Sequence, residues 1–110
     1  MARFSVVYDA NVLYPAPLRD LLMRLALTDL FKAHWTTSIH NEWIEALLRQ
    51  GKHTRKKLEH VRDLMDAHVK DALVTGYEPL IEGLSLPDPN DRHVLAAAIV
   101  CGADAIVTFN

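Results

Sequence analysis

The chain has 110 residues, enough for one domain with a single hydrophobic core. Half of the residues are apolar and 24% are charged, the net charge is −2, and neither a membrane-spanning run nor a signal-peptide pattern is present. We therefore expect a cytoplasmic protein with no membrane partner, and the single cysteine, Cys101, excludes an internal disulfide and does not favour a zinc site.

The first predicted element is a strand from Phe4 to Tyr8, whose β-branched and aromatic residues are apolar on both faces. Such a run is typical of a central strand in a parallel sheet. The strand ends at Asp9, and after a turn the leucines recur at helical spacing over about residues 17–31. A second, brief strand is predicted at residues 34–37.

The middle of the chain is predicted to be helical. A helix over about residues 38–50 is expected to be capped by Thr37 or Ser38 and to end at Gly51. A further helix is expected over about residues 53–72, because apolar side chains again recur on one side of it. The opposite side carries lysines and arginines.

The last third of the chain is predicted to hold a strand within residues 80–84, a helix from Pro89 to about Cys101 and a strand over 105–109. Asp88 fits the N-cap of this helix, and Asp91 follows three residues later, where a carboxylate can reach back to the cap. Capping alone therefore explains both aspartates. Strands that alternate with helices predict an α/β fold with a parallel sheet.

Acidic side chains from separate segments are expected to converge at one edge of this sheet. Ligands of open parallel sheets bind beyond the carboxyl ends of the strands, where Asp9 lies beside Asn110 if the first and last strands are neighbours. Glu42, Asp88 and Asp91 come from the beginnings of helices near the same edge. Hard oxygen ligands without a cysteine or histidine set indicate Mg²⁺ or Mn²⁺, and the natural reaction is phosphodiester hydrolysis.

Four stretches form an ordered set that spans nearly the whole chain: Val6 to Leu13, Ser38 to Glu42, Leu86 to Ala98 and Ala103 to Asn110. This set resembles the PIN-domain family. The resemblance implies a three-layer α/β/α fold whose parallel sheet has four to five strands in the order 3-2-1-4-5. It also implies one domain over residues 1–110 that lacks a last helix and a fifth strand, because the family continues further.

The resemblance assigns roles to individual residues as well. It implies that Asp9, Glu42 and Asp91 are metal ligands and catalytic residues, and that Asp88 is an additional metal-binding acid. Many members have an aspartate where this chain has Asn110, whose amide oxygen can bind Mg²⁺ but brings no charge. The residues expected to orient the site or the substrate are Asn11, Thr108 and Asn110.

Positive charge is concentrated in residues 49–62, which carry six basic residues against the single acid Glu59. This surface is either a solvated helix face or a surface that attracts the phosphate backbone of RNA, and the sequence leaves both readings open. The candidates for RNA contact are Lys52, Arg55, Lys56 and Arg92.

The leading hypothesis is a Mg²⁺- or Mn²⁺-dependent endoribonuclease that acts as the toxin of a bacterial toxin–antitoxin pair. The second is a degenerate PIN domain that binds RNA or a protein without cutting, which Asn110 favours. The third, an aspartyl phosphatase with Asp9 as nucleophile, lacks the second acid that it would need in the next residues. The expected partner is an RNA substrate, with an antitoxin protein and a second copy of the chain in a homodimer as open alternatives.

Overall fold

The computed structural model describes residues 4–84 and 91–109. The predictions made for Asp88, Pro89 and Asn110 therefore lie outside the described residues. None of the described helices is long and apolar enough to cross a membrane. The strands are β1 (Ser5–Tyr8), β2 (Lys32–His34) and β3 (Ala105–Val107), and the helices are α1 (Ala10–Leu13), α2 (Ala16–Leu27), α3 (Thr37–Leu48), α4 (Arg55–His68), α5 (Glu78–Ile81) and α6 (Arg92–Cys101).

The three strands form one parallel sheet in the order β2-β1-β3. The central position predicted for the first strand is confirmed. Val6, Val7 and Tyr8 are all buried, and because successive side chains point to opposite faces, both faces of β1 are covered. The α/β class is therefore confirmed, while the described residues contain three strands of the predicted four to five.

The strand predicted within residues 80–84 is wrong, because Glu78–Ile81 forms the short helix α5. Pro79 lies in the first turn of this helix, where its missing N–H breaks no helical hydrogen bond. Extended pairing occurs earlier in the chain, where Leu73 makes an isolated parallel bridge to Trp35 beyond the end of β2. The sheet is thus extended on this side by a single residue pair.

Helix boundaries differ from the prediction for local reasons. The helix expected over 17–31 ends at Leu27 and is followed by Asp29, which has a positive φ. The helix expected over 53–72 ends at His68 and is followed by Asp71, which also has a positive φ. Apolar spacing could not reveal these turns, since buried residues continue beyond the end of α4. The cap of α3 is Thr36, whose Oγ1 accepts a hydrogen bond from the Ile39 N–H at 3.0 Å.

A buried polar network ties α3 and α4 to the end of β2. The indole Nε1 of Trp35 donates to Asp66 Oδ1 at 2.7 Å, and His40 Nε2 lies 2.9 Å from the same oxygen. Trp43 Nε1 donates to His40 Nδ1 at 3.1 Å, which places the imidazole proton on Nε2, facing Asp66. Burial lowers the pKa of His40 and outweighs the opposing hydrogen bond that His40 donates to Asp66, so this histidine is a neutral core residue.

Candidate functional site

Asp9 lies at the carboxyl end of β1, and hydrogen bonds hold both its backbone and its side chain. Its N–H donates to the Val107 carbonyl at 3.0 Å, which continues the pairing of β1 with β3. Its carboxylate accepts a hydrogen bond from the Ala10 N–H at 2.7 Å and one from Thr108 Oγ1 at 3.0 Å. The end of the central strand therefore presents a carboxylate in a fixed orientation.

Asn11 acts on Asp9 through Thr108. The Asn11 side-chain amide donates to Thr108 Oγ1 at 3.1 Å, and the same hydroxyl donates to the Asp9 carboxylate. The Phe109 N–H points to the Asn11 carbonyl oxygen at 3.4 Å. Asn11 and Thr108 thus lie where the sequence predicts site-orienting residues, and the binding of a water or a phosphate by Thr108 stays a prediction.

Thr108→Val is expected to lower the free energy of unfolding by about 1–2 kcal/mol, because Asp9 loses a hydrogen bond and the Asn11 amide loses its acceptor. Urea unfolding measures this change. Thr28→Val is the control, since the Thr28 hydroxyl donates to the Leu25 carbonyl and accepts a long bond from the Leu30 N–H at 3.5 Å, both at an exposed helix end. Equal losses in the two variants would contradict the orienting role of Thr108.

Glu42 and His93 connect α3 with α6 at the same edge of the sheet. His93 Nε2 lies 2.8 Å from Glu42 Oε1, with the histidine 15% and the glutamate 44% exposed. The hydrogen bond that His93 donates to Glu42 raises the pKa of His93, burial opposes it, and the charges of Glu42, Asp9 and Asp91 raise it further. Carboxylates from three separate segments therefore act on one imidazole and favour its charged form.

Asp91 immediately precedes α6. Its side chain makes no N-cap hydrogen bond to this helix. The capping contact that the sequence predicts, from the Asp91 carboxylate back to the N–H of Asp88, involves a residue outside the described ones and stays a prediction. Its charge acts on His93 two residues later. The predicted partner acid Asp88 lies outside the described residues.

The chemistry of these carboxylates fits a divalent metal ion, although their arrangement is not a metal cluster. Within residues 4–84 and 91–109, no three histidine, cysteine, aspartate or glutamate side chains form a group that could hold a metal ion. Asp9, Glu42 and Asp91 nevertheless supply the charged oxygen atoms that Mg²⁺ and Mn²⁺ prefer. His93 Nε2 already contacts Glu42 Oε1, so a metal ion that used Glu42 would compete with this histidine.

The residues predicted to contact RNA have different surroundings. Lys52 and Lys56 are exposed, in the turn before α4 and in its first turn. Arg55 Nη2 lies 2.7 Å from Glu45 Oε1. For this residue, the contact agrees with the interpretation of the basic segment as a solvated helix face with its own ion pairs. Arg92 is the first residue of α6 and is half-buried beside Asp91.

A cavity of about 440 Å³ lies between α1 and α3. It adjoins the acidic edge, the name used here for the part of the sheet edge that carries Asp9, Glu42 and Asp91. The sequence does not predict this cavity, because its two walls come from helices that are distant in the chain. Arg49 is one of the basic residues of segment 49–62, and Tyr14 follows the first predicted strand in a turn, so neither is marked as a site residue by its local pattern. The cavity is lined by Ala10, Asn11 and Tyr14 on one side and by Glu42, Ala46 and Arg49 on α3, with Trp43 behind them.

Comparison with protein families gives a match to the PIN domain over residues 5–110, nearly the whole chain. No curated protein and no solved structure matched the chain in the corresponding searches. The parallel sheet, with Asp9 at the end of its central strand, Glu42 in α3 and Asp91 at the start of α6, agrees with this assignment. The chain belongs to the PIN-domain family.

Proposed function

We propose that the chain is a Mg²⁺- or Mn²⁺-dependent endoribonuclease with Asp9, Glu42 and Asp91 as its metal-binding residues. A PIN domain has a nuclease-type fold, and the proposal adds the metal, the substrate and the residues. The observation that carries it is the Asp9 carboxylate, which Ala10 and Thr108 fix at the carboxyl end of the central strand, together with the contact of Glu42 with His93 at 2.8 Å. The proposal for Asp88 and Asn110 as further ligands rests on the sequence alone.

The acidic edge needs a cation to act on RNA, because uncompensated carboxylates repel one another and repel phosphate. A bound divalent ion would polarise a phosphate oxygen and lower the pKa of a water molecule. Asp9 is suited to bind it because Ala10 and Thr108 already fix its carboxylate. Glu42 would contribute the oxygen that now contacts His93, and the imidazole Nε2 would then be available to contact the neighbouring phosphate.

Attraction of the substrate is assigned to exposed cations beyond the end of α3. Lys52 and Lys56 follow the carboxyl end of α3, the helix that carries Glu42. Lysines that neutralise phosphates favour RNA binding through the release of counterions, so binding should weaken as salt is raised. As the biological role we propose the toxin of a toxin–antitoxin pair, with an antitoxin that covers the acidic edge.

Cleavage of a labelled single-stranded RNA with Mg²⁺, with Mn²⁺ and with EDTA tests the proposal. Glu42→Gln is expected to slow metal-dependent cleavage by about 100-fold, because it removes one charged ligand and keeps the shape of the side chain. Glu45→Gln is the matched control on the same helix, since the exposed Glu45 pairs with the exposed Arg55 on the solvent side. Equal cleavage by the two folded variants would refute the role of Glu42.

A degenerate, non-cutting PIN domain is the second candidate. It is favoured by the contact of Glu42 with His93 and by the lack of a three-residue metal group within the described ranges. This function predicts salt-dependent RNA binding without cleavage, and calorimetry that detects no binding of Mg²⁺ or Mn²⁺.

A further inference from the structure

We propose that the cavity between α1 and α3 is a subsite for one nucleotide of the RNA, next to the phosphate that is cut. In this subsite the base packs against Tyr14 and Ala46, and the flanking phosphate binds Arg49. The inference rests on the proposed ribonuclease function and deepens it, because it states where the substrate lies beside the acidic edge.

The arrangement of charges on α3 supports a nucleotide as the occupant. Glu42, Ala46 and Arg49 line the cavity and follow one another at positions i, i+4 and i+7, so they share one face of the helix. At 1.5 Å per residue, this face spans about 10 Å between the acid and the cation. An occupant must therefore satisfy a metal-binding edge at one end and a cation at the other, with an uncharged part between them.

The walls between these two ends suit a flat, apolar group. Ala10 and Ala46 leave room because their side chains are small, and Tyr14 contributes an aromatic ring. Aromatic rings bind nucleobases by stacking, which is tolerant of sequence because every base has a flat face. The Tyr14 hydroxyl accepts a hydrogen bond from Gln50 Nε2, which fixes the ring against the end of α3.

A buried arginine holds this wall in place before any ligand binds. The Arg19 guanidinium lies 4.8 Å from the centre of the Trp43 ring, and its Nη1 donates to the Leu13 and Tyr14 carbonyls at 2.8 and 3.3 Å. These carbonyls end the short helix α1, so Arg19 fixes the position of Tyr14 relative to α3. A preformed wall lowers the ordering cost of binding, and Arg19 is therefore a positioning residue of the subsite.

The cavity is also connected to the candidate catalytic residues. Asn11 lines it, and the Asn11 amide is bonded to Thr108, which holds the Asp9 carboxylate. A group that fills the cavity therefore touches the network that orients Asp9. In RNA, a nucleotide in this position has one flanking phosphate on Arg49 and the other within reach of the acidic edge, as an endonuclease requires.

Binding of the four nucleoside 5′-monophosphates to the isotope-labelled chain in EDTA, followed by NMR, tests the subsite. We expect shifted amide signals for Ala10, Asn11 and Ala46. Ala46→Leu fills the cavity and Arg49→Gln removes its cation, and each is expected to weaken binding by about tenfold. The matched controls are Ala67→Leu and Arg24→Gln, on exposed positions that do not line the cavity, and they are expected to bind like the wild type.

This experiment separates the subsite from the ribonuclease function, since it needs neither metal nor cleavage. Nucleotide binding that Ala46→Leu and Arg49→Gln weaken supports the subsite even if no RNA is cut. Unshifted cavity signals, or unchanged binding in both variants, overturn the subsite even if Glu42-dependent cleavage is found. If Ala46→Leu does not fold, the exposed Arg49→Gln variant alone decides the result. A cavity that takes a peptide and no nucleotide would be a protein-docking site, which also overturns the proposal.

Discussion

Asp9→Asn is expected to slow metal-dependent RNA cleavage by about 1,000-fold, at the upper end of the effect of removing one electrostatic group from an active site. The change removes the charge at the end of the central strand and keeps an oxygen that can accept the Ala10 N–H. The fold should therefore survive. Single-turnover cleavage with Mn²⁺ measures the rate, and urea unfolding checks the structure.

Asp63→Asn is the control for this prediction. Asp63 is 66% exposed and pairs with the adjacent Arg62, so the same chemical change there should leave cleavage unaltered. Calorimetry of the two variants adds an independent measurement, because only Asp9→Asn is expected to weaken the binding of Mg²⁺ or Mn²⁺. A folded Asp9→Asn variant with wild-type cleavage would remove Asp9 from the site.

His40→Ala is expected to cost about 3–5 kcal/mol of unfolding free energy, a large share of the stability of a small domain. The substitution leaves a cavity in the core and deprives Trp43 Nε1 of its acceptor, while Asp66 keeps only its bond from Trp35. Urea unfolding above pH 7 measures the loss. His53→Ala, at an exposed position before α4, should cost far less.

Lowering the pH should reduce the difference in unfolding free energy between the wild type and His40→Ala. Because the pKa of folded His40 lies below its ordinary 6.5, the unfolded chain takes up a proton that the folded chain does not. The stabilising contribution of His40 is therefore complete above pH 6.5 and falls as the pH is lowered through that value. A difference that grows in acid would mean that His40 is charged in the folded chain.

The parts of the fold that could be predicted depend on local patterns. The apolar run before Asp9 requires a strand covered on both faces, and the spacing of apolar residues around Glu42 requires a helix. The strand expected within residues 80–84 failed because Pro79 favours a first helical turn and because the pairing of Leu73 with Trp35 depends on distant residues.

The site was predictable to a similar extent. Asp9 and Thr108 follow paired strands, so their proximity could be derived from a parallel sheet alone. The contact between Glu42 and His93 could not, because it depends on how α3 and α6 pack. The role of Arg19 could not be predicted either, since its place over Trp43 results from the packing of both α2 and α3 against α1.

The buried network around Asp66 also gives the chain two optical reporters. The sequence contains two tryptophans, and both donate their indole N–H into this network, Trp35 directly and Trp43 through His40. Only Trp43 also lines the cavity beside Arg49. Fluorescence of a Trp35→Phe variant should therefore respond to occupation of the cavity, whereas fluorescence of a Trp43→Phe variant should follow the core alone.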